Sequence, residues 1–167
     1  EGGREAVYGI APEQHLAAAY YRNATAHVFL HGAIAELALI GAASRPAGQR
    51  VAAVAEESLA LRDLLKIDFF FLERPLFLDA LHAELDRLAP GWRVRLEQGP
   101  HGDLALLEEM PTLASDMLLR SFVEAYRVAV DVVPGPGDAP DAASLLETCM
   151  GLGRQYLLQG RLHTPES

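Results

Sequence analysis

The chain has 167 residues, half of them apolar and 22% charged, with a formal charge of -9. That length suits one hydrophobic core, and that composition excludes a disordered or low-complexity chain. The acidity argues against nucleic acid as a partner, because phosphate binding needs an electropositive face. Cys149 is the sole cysteine, so no internal disulfide forms and a reducing compartment is expected. Lys66 is the sole lysine among many arginines, a bias that suits a GC-rich bacterial genome. The chain opens at Glu1 and stops at Ser167 without targeting signals, and we read it as one helical domain, residues 1–167, of a longer polypeptide.

A first helix is expected from Pro12, a residue suited to a first turn, to about Ala43. Leu16, Tyr20, Asn23, His27, Leu30, Ile34 and Leu37 fall on one stripe at spacings of three and four. The run from Ala24 to Ala43 is long enough to span a bilayer, but His27, His31, Gly32 and Glu36 interrupt it. It reads as a core helix. After Ser44 to Gly48, a second helix buries Val51, Val54, Ser58, Leu61, Leu64 and Leu65. Phe69, Phe70, Phe71 and Phe77 then plug a helix corner, any exposed remainder suiting a membrane surface or a docked domain. Pro75 opens a third helix through Leu76, Leu78, Leu81, Leu85 and Leu88.

Trp92 to Leu96 alternates apolar and polar residues as a strand does, and Leu104 to Leu107 would return as its partner across a turn. Thr112 or Ser115 caps a fourth helix burying Leu118, Phe122, Tyr126 and Val130. Asp138 and Asp141 resemble a capping box before a last helix with Leu145, Leu146, Cys149, Leu152 and Tyr156. The fold class is mainly α: a bundle of about five helices with one β-hairpin.

Catalytic constellations are scarce. The sequence carries no Gly-rich phosphate loop, no paired-cysteine zinc pattern and no Gly-x-Ser-x-Gly elbow. His27 and His31 share a helix face at i and i+4 but have no third ligand nearby, so they read as core and boundary histidines and no metal site is expected. Tyr20, Tyr21, Arg22 and Asn23 are dense in polar chemistry, and Asn23 and His27 lie on the apolar stripe, so this face is expected either to fix helix register through hydrogen bonds or to meet a ligand or domain. Arg154 and Arg161, seven apart with Gly151, Gly153 and Gly160 around them, are expected on one helical face, either as ordinary salt bridges or a solvated surface, or able to meet a phosphate or carboxylates.

Three blocks, in order, resemble the glycerol-3-phosphate acyltransferases of the bacterial PlsB type. They are His15-Leu16-Ala17-Ala18-Ala19-Tyr20-Tyr21-Arg22-Asn23 with His27, then Leu61-Arg62-Asp63-Leu64-Leu65-Lys66 with its phenylalanines, then Gly153 to Arg161 and on to Ser167. The resemblance implies transfer of an acyl group from acyl-CoA or acyl-carrier protein to the 1-hydroxyl of glycerol 3-phosphate, without a further cofactor. It also implies an enzyme peripheral on the cytoplasmic face of the bacterial membrane. The family's chemistry uses a His-x-x-x-x-Asp motif, in which histidine takes the hydroxyl proton and aspartate supports it. Five residues beyond each histidine lie Tyr20, Gly32, Glu36, Arg87 and Leu106, and from His163 the chain runs out. No catalytic residue is therefore carried over, and the chain alone is expected to be inactive. The resemblance makes it the C-terminal region that packs on an upstream acyltransferase domain. Two rival readings are a non-enzymatic ligand-binding domain, such as the effector half of a bacterial regulator, and a protein-interaction module.

Overall fold

The structure is a computed structural model and describes residues 11–98, 102–110, 114–133 and 141–164. After a 3₁₀ turn over Pro12–Gln14, the described residues form seven α-helices: α1 His15–Ala42, α2 Arg50–Leu65, α3 Arg74–Leu88, α4 Trp92–Glu97, α5 Gly102–Glu109, α6 Ala114–Val132 and α7 Ala142–Leu158. Helix α1 is the spine. Its apolar C-terminal half (Leu30, Ala33, Ile34, Ala35, Ala38, Leu39 and Ala42) is buried, and α2, α3, α5 and α6 pack around the helix. By length and composition, Ala24–Ala42 could cross a membrane, but half of it lies inside the fold. Four alanines on that buried surface let neighbouring helices approach closely, and Ile34 and Leu39 fill the space between them.

The expected long first helix, the second helix and the Pro75 start are all present. The hairpin is absent. Trp92–Glu97 is a helical turn and a half, and the proposed returning strand lies within α5. On a strand, Trp92, Val94 and Leu96 would share one face. Instead Trp92 and Leu96 are fully buried while Val94 points to solvent, which is the i, i+4 pattern of a helix. The alternation is ambiguous over so short a segment, and tertiary contacts decide it. Arg95 makes two hydrogen bonds to Glu109 of α5, at 2.8 and 2.5 Å, and Arg93 Nη1 donates to Asp86 of α3 at 2.9 Å. Gly91, with φ +74°, supplies the left-handed residue that turns the chain into α4.

Other expectations shift locally. Leu64, Leu76, Val130 and Leu146 are exposed rather than buried. Thr112 and Asp138 lie outside the described residues; Ser115 sits inside α6, and Asp141 caps α7 by accepting from the Ser144 N–H. The phenylalanine corner forms as expected. Phe77 is buried, Phe71 meets it edge-on at 5.5 Å, and Phe69 meets Phe122 of α6 at 4.9 Å, while Phe70 is fully exposed. The hydroxyl of Tyr126 on α6 donates to Asp68, and burial together with that carboxylate pushes the phenol up to about 12.

Carboxylates from distant elements close several helix starts. Glu36 is buried in the C-terminal half of α1, where an unpaired charge would be costly, and its Oε2 accepts the Ser115 N–H at 2.7 Å. That amide is one of the first donors of α6, which have no partner within their own helix. A carboxylate there is favoured by the helix dipole as well. Glu97 does the same for α2, accepting the Val51 N–H at 3.0 Å and also the Gly48 N–H. Arg50 Nη1 reciprocates by donating to the Leu96 carbonyl at 3.0 Å.

Two tests follow from this capping. Glu36→Ala leaves the Ser115 amide buried without its acceptor and should cost about 2 kcal/mol in chemical denaturation, with Glu36→Gln losing less; equal stability of wild type and Glu36→Ala would refute the capping role. The amides on Glu97, that of Val51 foremost, hold its carboxyl below the ordinary 4.5. A depressed folded-state value gives stability that is complete above 4.5 and lost as the pH falls through the folded value. Acid titration of wild type should therefore show a step below 4.5 that Glu97→Gln lacks.

Candidate functional site

The candidate residues fall in two separate places. Tyr21 and His27 sit on the N-terminal half of α1 and are exposed, as are Tyr20, Val28 and Phe29. The side chains of Arg22 and Asn23 lie outside the described residues. Among the described side chains of this helix the first buried ones are Ala26 and Leu30, and His27 is exposed, so the expected buried polar network does not form at His27 itself. The reason is length. Helix α1 has 28 residues, about 42 Å, whereas its neighbour α2 has 16, about 24 Å, so one helix outruns the other. The exposed half carries an edge-on Tyr20–Tyr21 pair, ring centres 5.7 Å apart.

His31, one turn beyond His27, is half-buried with its ring 5.6 Å from Phe77. Desolvation lowers its pKa, with the Glu84 charge opposing that shift. Its role is packing against α3. Among the described residues, no group of three potential metal ligands occurs. His31 and Glu36 face different neighbours, α3 and α6, as five residues of helix dictate.

The second block is a structural clamp. Arg62 Nε and Nη2 donate to the Leu72 carbonyl at 3.1 and 2.7 Å, and its guanidinium lies 5.9 Å from the centres of both Phe71 and Phe77. Asp63 accepts from Arg62 at 2.7 Å and pairs with Arg74. Arg74 chiefly, with Arg62, holds the Asp63 carboxyl below its ordinary value. Two consecutive charged residues thus fix the path from α2 to α3 and present Ile67 and Phe70 to solvent.

Arg154 and Arg161 do not share a helical face, because α7 ends at Leu158. Gly160 adopts φ +67°, its N–H reaches the Leu157 carbonyl at 3.1 Å, and the Arg161 N–H reaches the Tyr156 carbonyl at 2.8 Å. This pair of bonds is a Schellman ending, and the glycine six residues after Arg154 was the signal available for it. The Arg161 guanidinium then folds over the Tyr156 ring, 3.6 Å from its centre. Beyond it, Glu124 of α6 accepts the His163 N–H at 3.0 Å and the Thr164 N–H at 3.0 Å, pinning the segment after α7. Arg154 lines an open groove of about 270 Å³ between α6 and α7, walled by Val128, Cys149, Met150, Leu157 and Leu162. Cys149 itself is partly buried against the small cluster of Val128, Tyr156 and Leu162.

The sequence pattern presents Glu36 as a barrier to membrane insertion and as the residue five beyond His31, and it does not single out Glu97 or Glu124. A charge in the middle of an apolar helix is a signal that another element must supply its polar partner.

The described geometry defines a helical scaffold with uncovered apolar faces, in which many charged side chains clamp loops or cap helices. Such a region belongs to a larger machine. The family model for the glycerol-3-phosphate acyltransferase C-terminal region matches residues 1–167, and the chain belongs to that family. It is 35% identical over 170 residues to proteins of Mycobacterium bovis and Mycobacterium tuberculosis named as candidate acyltransferases, plsB1. The alignment covers 100% of this chain and 27% of each relative. No solved structure gives a significant match.

The glycines within and just after α7 separate by environment. A Cβ on Gly153 would meet no neighbouring atom, whereas Gly160 needs its left-handed backbone. In the 167-residue chain, Gly153→Ala should stabilise α7 by about 0.5–1 kcal/mol. Gly160→Ala should destabilise by about 1–2 kcal/mol. Urea denaturation of both variants checks the opposite signs.

Proposed function

We propose that the intact polypeptide is a glycerol-3-phosphate 1-O-acyltransferase. It transfers an acyl group from acyl-CoA or acyl-carrier protein to glycerol 3-phosphate and yields lysophosphatidate for phospholipid synthesis. The observation that carries this reading is the match of the C-terminal-region family over residues 1–167. The region supports an upstream acyltransferase domain by packing against it. The His-x-x-x-x-Asp chemistry resides in that domain, since no histidine here has an aspartate five residues on. The 167-residue chain by itself is inactive in this reading.

The exposed apolar half of α1 supports a packing role. A helix apolar around most of its circumference is stable where another surface covers it. The protein acts peripherally on the cytoplasmic face of the membrane, where its acyl-chain product partitions. Ile67 and Phe70, both protruding between α2 and α3, suit an apolar contact there. Neither a metal nor a further cofactor is required.

Arg22→Ala and Arg154→Ala in the intact enzyme test the supporting role. At least one should weaken glycerol 3-phosphate affinity or lower the thermal unfolding midpoint. Unchanged affinity and unchanged midpoint in both variants would contradict it.

A further inference from the structure

Helix α7 has two apolar faces, and α6 occupies only one. Leu145, Cys149, Leu152 and Tyr156 turn inward or are partly buried, Cys149, Leu152 and Tyr156 forming part of a small cluster with Val128 of α6. Leu146, Met150, Gly153 and Leu157 recur at spacings of four, three and four, so they form a second stripe along the same helix. Leu146 and Met150 are 64% and 51% exposed, too open to be explained by the chain's own core. The stripe opens onto the groove between α6 and α7, through Met150, Gly153 and Leu157.

Two independent features mark this stripe as a contact surface. Gly153 on the stripe, and Gly151 away from it, interrupt the middle of a helix, where glycine weakens helical structure, yet a Cβ on either would meet nothing among the described residues. No contact within the described fold calls for them. A close-approaching backbone from outside would. Arg154, beside the stripe, has no acidic partner among the described residues although the chain as a whole carries a charge of -9.

We propose that this face of α7 docks a helix from the preceding part of the same polypeptide, with an apolar seam over Gly153 and a carboxylate opposite Arg154. The proposal rests on the functional reading above. The occupant follows from length and charge. The chain spans 27% of its relatives, and its family is the C-terminal region, so about three-quarters of a relative's length precedes it. A carboxylate neutralises Arg154, which an apolar seam alone would leave unpaired.

Peroxide oxidation of Met150 in the native intact polypeptide, read by mass spectrometry against the same protein unfolded in urea, tests the docking. The expected result is protection in the native state. Gly153→Leu, at a position where an added Cβ meets no described atom, and Arg154→Glu should each abolish that protection. Native Met150 reacting at the unfolded rate overturns the proposal. So does protection that disappears on dilution, the mark of a second copy, or that needs added phospholipid vesicles. Acyl transfer measured on the same sample separates the two readings. An active enzyme with accessible Met150 defeats only the docking, and an inactive one with protected Met150 defeats only the assigned reaction.

Discussion

A buried carboxylate on the central helix organises the fold. Glu36 sits among alanines and leucines in the C-terminal half of α1, where burial makes polar partners for its carboxylate necessary. The start of α6 has the complementary deficit, backbone donors with no partner in their own helix. Joining the two at Ser115 satisfies both and fixes where α6 meets the spine. The placement of Phe122 against Phe69, and of Tyr126 against Asp68, then follows along α6. Helix α7 in turn packs on α6, so the position of the last helix depends on the same contact.

The same solution recurs with different residues. Glu97 serves α2, Asp141 serves α7, and Glu124 serves the segment after α7. The acidity of the chain is in part a structural resource. Arginines complement it: Arg62 clamps the Leu72 carbonyl, and Arg50 returns a bond to the Leu96 carbonyl beside Glu97. Functional interest therefore shifts to surfaces that the fold leaves uncovered: the first half of α1, the tip at Ile67 and Phe70, and the outer stripe of α7.

Much of the architecture was legible in the residue pattern. Pro12 and the apolar run ending near Ala43 mark α1, and Pro75 and the leucine spacing mark α3, because long periodic segments carry their own period. Trp92 to Leu96 was not legible, since five residues alternate and also satisfy i, i+4, and the bonds to Asp86 and Glu109 that choose between them come from elsewhere in the chain. The exposure of Tyr20, Tyr21 and His27 was hidden for another reason. A stripe shows which residues share a face, while the reach of the covering helix depends on where α2 stops. Of the proposed site, Arg154 stands open in a groove, whereas Arg161 was misplaced by carrying the helix through Gly160.

The account's central claim is that this region supports a glycerol-3-phosphate acyltransferase without performing the chemistry. The direct measurement is acyl transfer to labelled glycerol 3-phosphate, from acyl-CoA and from acyl-carrier protein, by the intact polypeptide and by residues 1–167 alone. The account predicts lysophosphatidate from the intact polypeptide and none from the 167-residue chain. Turnover by the chain alone, or none by the intact polypeptide with either donor, would contradict it.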